Sequence, residues 1–526
     1  MQSNDGGYLQ LNVPGGVTSS GAISNINGGA LNFSGDLSLT GGQLNLFIFT
    51  AANIRLNGPV SSTKSVLRMI SYGDLEFNAP LTTSGSLWLD YGWAAVASGN
   101  TSQLTFSAPV NMTAGQTLDI RQGNNGTVAN YTVITSLGAA GSSTGTDLQG
   151  MALTGNYALG ADIDASTTSG WNAGAGFTPV GSSSLAPFTG SIFGAGHVIS
   201  NLTINRPGTN GVGLLGYATG AKVSNLGLES ASITGSGWVG GIAGDASGTG
   251  GIAITASWVN GTVSGTSFNV GGLVGINSSS GNITSSYTSG SVTGNSASTS
   301  YNTGGLVGYN AGTLTNSYST AAVSGNNAVG GLIGRNSIGA SVSNTYASGL
   351  VTATGTTPSL VGGLVGDNSG TVSSSFWDPA TTGQASSAAG TALATADMMT
   401  ELNFTTAATA NGNLNPAPAW DFAATWWLSE GNTRPFLRSE HSTTIHNAHQ
   451  LQLMALDLTA SYTLARDIDA ADTSGTSGMW GSAGFVPLGV NPDSVDGTSF
   501  TGALDGANHS ISQLTINRPA QDNVGL

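Results

Sequence analysis

The chain has 526 residues, of which 81 are glycine, 39% are apolar and only 7% are charged; its net charge is −15 and it contains no cysteine. So long a chain exceeds what one compact core usually supports, so several domains or a quasi-one-dimensional stack is expected. With 11 basic against 26 acidic residues, nucleic acid and anionic lipid are poor partners, because phosphate binding needs clustered Lys and Arg, and the missing cysteines exclude disulfides, thiolate metal sites and a cysteine nucleophile. No apolar run approaches the roughly 18 residues of a membrane span, so no membrane insertion is expected. Met1-Gln-Ser-Asn-Asp5 lacks the basic and apolar regions of a signal peptide, and the chain stops at Val524-Gly525-Leu526, part-way into a phrase whose earlier copy runs on through Leu215-Gly216. The expectation is a piece of a longer exported protein whose targeting segment lies elsewhere.

Residues 1–140 alternate apolar and polar positions between turns, with short strands at 36–39, 43–46 and 54–56. Ile54-Arg-Leu-Asn-Gly-Pro59-Val60, Leu75-Glu-Phe-Asn-Ala-Pro80-Leu81 and Leu104-Thr-Phe-Ser-Ala-Pro109-Val110 share one template. Each places a proline just after a strand, where a ladder hydrogen bond is forgone. The spacing predicts rungs of a strand coil.

Residues 141–378 hold the strongest repeat. A glycine phrase recurs six times: Gly211-Val-Gly-Leu-Leu-Gly216, Val239-Gly-Gly-Ile-Ala-Gly244, Val270-Gly-Gly-Leu-Val-Gly275, Thr303-Gly-Gly-Leu-Val-Gly308, Val329-Gly-Gly-Leu-Ile-Gly334 and Val361-Gly-Gly-Leu-Val-Gly366. Its second glycines, Gly213, Gly241, Gly272, Gly305, Gly331 and Gly363, step by 28, 31, 33, 26 and 32 residues, a period that signals a solenoid, propeller or array. An aromatic after a small polar residue keeps pace at Trp258, Tyr287, Tyr318, Tyr346 and Phe376. No apolar stretch suits an ordinary helix. The paired glycines contribute nothing to a core, so they answer a steric demand, either a positive-φ turn or close approach to the next rung. Asn277, Asn310, Asn336 and Asn368 close four phrases as turn residues tolerant of the left-handed conformation. Stacked in register, identical Asn, core Leu and Tyr residues would form ladders at roughly 4.8 Å per rung.

Residues 379–440 break the rhythm. Thr391 to Leu402 reads as the one short helix, and Trp420, Trp426 and Trp427 concentrate aromatics. They are read either as a plug over the open end of the coil or as a glycan-binding platform that stacks on sugar rings. Residues 441–526 begin a second, truncated copy of the module: Leu451 to Asp469 echoes Leu148 to Asp164, and Phe188, His197 and Arg206 return as Phe500, His509 and Arg518, each displaced by 312. Duplication at two scales suits reach or multivalency.

The Gly-Gly-Leu-Val-Gly phrases followed by Asn and Ser-Tyr resemble the GLUG repeats of large bacterial surface proteins. The passages from Tyr157 to Gly181 and from Tyr462 resemble the segment that precedes those repeats in filamentous-haemagglutinin-like adhesins of the two-partner secretion type; Phe376-Trp-Asp378, Trp420-Asp-Phe422 and Arg434-Pro-Phe436 are similar to the way such a block closes. The resemblance covers about residues 140 to 526. It implies a right-handed parallel β-helix, passage through an outer-membrane transporter, and attachment, aggregation or biofilm-matrix binding at the bacterial surface. The Asn-Pro-Asn signatures of the secretion domain do not occur in the chain, so the transporter rests on likeness alone.

Chemistry is sparse. Asp162 with Asp164 and Asp467 with Asp469 form Asp-x-Asp pairs, which suit turns or caps more than calcium or acid/base work. His197 and His509 have no companion His, Cys or Glu at ligand spacing and read as packing residues. No metal, cofactor or catalytic residue is expected. The sequence favours a non-enzymatic adhesive or matrix rod that holds exopolysaccharide or host-cell glycans, over a polysaccharide-degrading β-helix enzyme or a bare spacer.

Overall fold

A computed structural model of the chain describes residues 53–94, 100–294, 301–354, 360–406, 419–489, 499–521 and 524–526, together with the backbone of short strands between 2 and 50. The fold is an all-β parallel solenoid with few helices, as the repeats predict.

In the first coil each turn contributes three strands, for example Leu75–Phe77, Leu81–Thr83 and Ser86–Tyr91. They align in parallel on the strands one turn before and after, Leu75 on Ile54 and Leu104, Leu81 on Val60 and Val110, Leu87 on Leu67 and Leu118. All of these apolar residues except the half-buried Leu104 are buried in one core. The template prolines sit between first and second strands. They lack a donor, but the Pro80 and Pro109 carbonyls accept from Val60 N (2.9 Å) and Leu81 N (3.2 Å), so the ladder is kept on one side.

The coil then changes sides. Thr117–Gln122 turns back antiparallel on Ala129–Ile134, which pairs in parallel with Asn156–Leu159 and through it with Ser191–Phe193. Because strand side chains alternate between faces, Val133, Ala158 and Phe193 complete the first core, while Ile134, Tyr157, Leu159 and Ile192 begin the second. The sheet continues without a break while the enclosed core moves to its opposite face.

In the second coil the phrases set the register. Val274 aligns on Val307, Val307 on Ile333 and Ile333 on Val365; Leu273, Leu306, Leu332 and Leu364 are fully buried. Burying each such leucine contributes roughly 2 kcal/mol. Between the two steric demands open to the glycine pairs, close approach is the one met. A Cβ on Gly272 would lie 2.2 Å from Gly305 O, and one on Gly331 would lie 2.3 Å from Gly363 O. The closing asparagines are not left-handed turn residues: Asn277, Asn310 and Asn336 end strands, and their amides form an internal ladder. Asn277 Nδ2 donates to Asn310 Oδ1 at 2.8 Å, Asn310 to Asn336 at 2.9 Å and Asn336 to Asn368 at 2.8 Å.

After Trp377 a strand-poor turn closes the coil, with Thr391 on Phe376 and Ala392 on Trp377. The helix expected over 391–402 does not form. Its first two residues are drawn into this pairing, and only Asp397–Met399 and Leu402–Thr405 coil, as single turns; an isolated segment of that length is marginal as a helix in water. The chain then doubles back along the outside of the second coil. There the second copy repeats the first: Ser461 pairs with Ala503 as Asn156 does with Ser191, and Ile468 with Ile511 as Ile163 does with Ile199.

Candidate functional site

The aromatic that follows each phrase lies outside the coil, not in its core. Trp258, Tyr287, Tyr318, Tyr346 and Phe376 occupy one column of successive rungs. Their cluster is separate from the leucine core and shared with residues 393–485. The rings of Tyr287 and Tyr318 stack 5.0 Å apart, and those of Tyr318 and Tyr346 4.8 Å apart. The returning chain roofs this column, so the tyrosines are buried twice over, by the coil and by the second copy.

That roof decides the fate of the predicted sugar platform. Trp426 is wholly buried and Trp420 nearly so; they stack on one another at 4.3 Å and lean on Tyr346. Neither has a face to offer a sugar ring. Trp427 is half-buried against Phe436. The plug reading also needs correction, because these rings cover the flank of the coil and not its end.

Among the described residues the buried carboxylates of the seam are all engaged. Glu440 accepts from Tyr318 Oη (2.7 Å) and faces His449 Nδ1 (2.8 Å), Asp378 meets Arg434 Nη2 at 2.5 Å, and Glu229 accepts from Trp258 Nε1 (2.8 Å) and Asn447 Nδ2 (2.6 Å). His197 is buried as expected, yet it has a companion that spacing did not show. Asp162 bridges it, at 3.2 Å, to His446, at 2.9 Å, while His197 Nε2 lies 3.1 Å from Val110 O of the first coil. The clamp therefore ties three parts of the chain. Burial alone would raise the Asp162 carboxyl, but its bonds to His197 and His446 hold it well below the usual carboxylate range. Burial would likewise depress His446, but Asp162 outweighs it and the imidazole pKa is raised. The second copy keeps the pair in the open, Asp467 and His509 standing 3.6 Å apart with Asp467 exposed. Asp164 caps its turn, accepting from Ser166 N and Asn201 Nδ2. Among the described residues no three His, Asp or Glu groups are placed to hold a metal ion.

A different aromatic row runs along the coil and reaches its surface at Trp238 and Phe268. Trp238, Phe268 and Tyr301 stack along it with centroids 5.8 and 6.2 Å apart, and Tyr217 meets Trp238 edge-on at 6.4 Å. Phe268 is 42% exposed, Trp238 is half-buried and Tyr301 is buried. Beside Tyr217 opens a cleft of about 220 Å³ lined by Pro187, Thr219, Asp245 and Thr249. Asp245 is buried, and its Oδ1 accepts from Ser247 N at 2.8 Å. Sequence reasoning missed this row because its members fall at unequal offsets before the phrase, Trp238 directly ahead of Val239 and Phe268 two residues ahead of Val270.

Residues 299–324 match the family model described as the GLUG motif. The chain is 43% identical over 122 residues to Halomucin of Haloquadratum walsbyi, covering 23% of this chain and 1% of that protein. It is 42% identical over 105 residues to an Evansella cellulosilytica protein assigned by name only as a Gly-rich membrane protein, covering 19% of this chain and 10% of that one. The chain thus spans a small fraction of the curated relatives it matches. Among solved structures it is similar, at 21% identity and a TM-score of 0.42, to a Bacteroides ovatus protein assigned by name only as an immunoglobulin A1 protease, over 54% of this chain and 85% of that one.

Proposed function

We propose that this chain is a rod-forming, non-enzymatic module of a secreted or cell-surface protein, acting in attachment, cell–cell aggregation or biofilm-matrix binding. The observation that carries the reading is where the reactive side chains have gone. Asp162, His197, His446, Glu440, His449, Asp378 and Arg434 are all engaged with one another in the joints between parts of the rod, where a β-helix enzyme would need acids converging on an open groove. The GLUG motif supports the same reading, as does a relative named as a membrane protein, and no described helix is long and apolar enough to cross a bilayer. Exopolysaccharide or host glycans as ligands, and export through an outer-membrane transporter of the two-partner type, complete the proposal.

The test is a binding screen of the immobilised protein against bacterial exopolysaccharides and host glycans, run beside an assay for new reducing or unsaturated ends. Retention of a polysaccharide without new ends supports an adhesive module. The appearance of ends would establish an enzyme and overturn the reading.

A further inference from the structure

We infer that the cleft beside Tyr217 is a subsite for one uncharged hexose unit of a polysaccharide, and that the stacked pair Trp238 and Phe268 is the apolar rail along which the rest of that glycan lies. The inference deepens the adhesive reading and rests on it.

The cleft's size comes first. About 220 Å³ lies below the usual volume of a drug-sized pocket and suits a single sugar ring. Its walls are of two kinds. The Tyr217 ring, half-exposed, and Pro187 supply apolar surface for the C–H face of a sugar, and Leu185, 95% exposed, stands on the same loop as Pro187. Thr219, Thr249 and Ser247 line the polar side.

Asp245 is the element that points to a ligand. It is 8% exposed and lines the cleft. One oxygen accepts from Ser247 N, and no other hydrogen bond to this carboxylate is present among the described residues. The second oxygen is left to face the cleft with spare acceptor capacity, and neighbouring sugar hydroxyls are donors of the right reach. Its charge also holds the Tyr217 hydroxyl above its ordinary pKa, after the larger effect of burial, so the two groups share one corner of the cleft.

Charge sets the ligand class. The cleft is lined by one carboxylate and by no Lys or Arg, in a chain of net charge −15. A uronic acid or sulfated sugar would meet like charge, which is unfavourable. The rail adds reach without selectivity. Trp238 and Phe268 stack on each other, so their edges, not their faces, form the surface. That surface favours an extended chain through apolar contact over two successive rungs.

The experiment uses the full chain and two variants, Asp245→Asn, which keeps an oxygen for Ser247 N, and Asp245→Ala, with thermal melts to confirm folding. Calorimetric titrations use hexameric oligosaccharides of glucose, galactose and mannose as neutral probes and hexagalacturonate as the acidic probe. The expected result is binding of at least one neutral hexamer, weakened about 10-fold or more in both variants because a charged acceptor is lost. Hexagalacturonate is expected to be excluded from the wild type and to bind comparatively better to Asp245→Asn. Neutral hexamers that bind the folded variants as tightly as the wild type would remove the cleft while leaving the adhesive reading intact. Binding of hexagalacturonate in preference to neutral chains would overturn the assignment of ligand class. If polysaccharides are retained in the screen above and no neutral hexamer binds here, the subsite is overturned; if nothing is retained in either experiment, the adhesive reading fails with it.

Discussion

Asp162 and His446 are 284 residues apart in the chain and 2.9 Å apart in the fold. The first belongs to the opening of one module and the second to the opening of its copy, so their contact holds two duplicated units flank to flank. An aspartate that accepts from two imidazoles is strongest when at least one of them is charged, which makes this joint sensitive to pH.

The sign follows from the two shifts. His446 is raised in the fold, so its contribution is fully present below its unfolded value of about 6.5 and is lost as pH climbs through the folded value. Asp162 is lowered, so its contribution is present above about 3.9 and is lost as pH falls toward the folded value. The joint is therefore tightest between about pH 4 and 6.5. His446 also faces Gln450 and senses Glu229. Melting curves at pH 5.5 and 8.5 should show a larger loss of stability on the alkaline side for the wild type than for His446→Gln. Parallel pH profiles would remove the clamp from the account.

The glycine pairs make a ranking. Gly331→Ala drives a Cβ to 2.3 Å from the Gly363 carbonyl and 2.9 Å from Ala347 Cβ. Backbone cannot yield there without breaking a rung, so a loss of about 3 kcal/mol is expected. Gly339 has φ of +83° and nothing within 4 Å of a built Cβ, so Gly339→Ala should cost only the left-handed penalty of roughly 1–2 kcal/mol. Denaturant midpoints check the order, and a reversed order would mean that the rungs are not in the register described.

The amide ladder gives a second ranking. Asn310→Ala strands a donor on Asn277 and an acceptor on Asn336, both buried, at roughly 2–5 kcal/mol. Asn368→Ala, at the half-buried last step, strands only the Asn336 amide and should cost roughly 1–3 kcal/mol. Equal losses measured by urea unfolding would argue that the asparagines are solvated separately.

Trp426 is now a stability residue. Trp426→Ala should cost about 3–5 kcal/mol through the cavity it leaves. Trp426→Phe should be much milder, because the indole Nε1 finds no acceptor among the described residues and its removal releases an unpaired polar group. Thermal melts compare the two; a Phe variant as damaged as the Ala variant would show that the indole N–H has a partner.

The register of the second coil is legible because each rung restates one phrase, so alignment of Val274, Val307, Ile333 and Val365 in the sequence is their alignment in space. The sidedness of the tyrosine column is not. A buried aromatic reads alike whether the coil or a neighbouring module buries it, and strand alternation decides the face only once the register is known. The clamp is invisible for a related reason, since no local spacing connects His197 with a histidine that arrives from the next copy. Trp420 and Trp426 carry composition that suits either a sugar platform or a core, and burial alone separates these. The row from Trp238 to Tyr301 escapes because its members slip by one residue against the phrase.

The tyrosine column is an internal seam, closed by the chain folding back on its own coil. Burial, reinforced by the charge of Glu440, raises Tyr287, Tyr318 and Tyr346 well above the ordinary value near 10. Alkaline titration of phenolate absorbance tests this most directly. At least three of the twelve tyrosines should stay protonated through pH 11 and ionise only together with unfolding, seen as a simultaneous loss of circular dichroism. Smooth ionisation of all twelve near pH 10 in a protein that remains folded would contradict the seam.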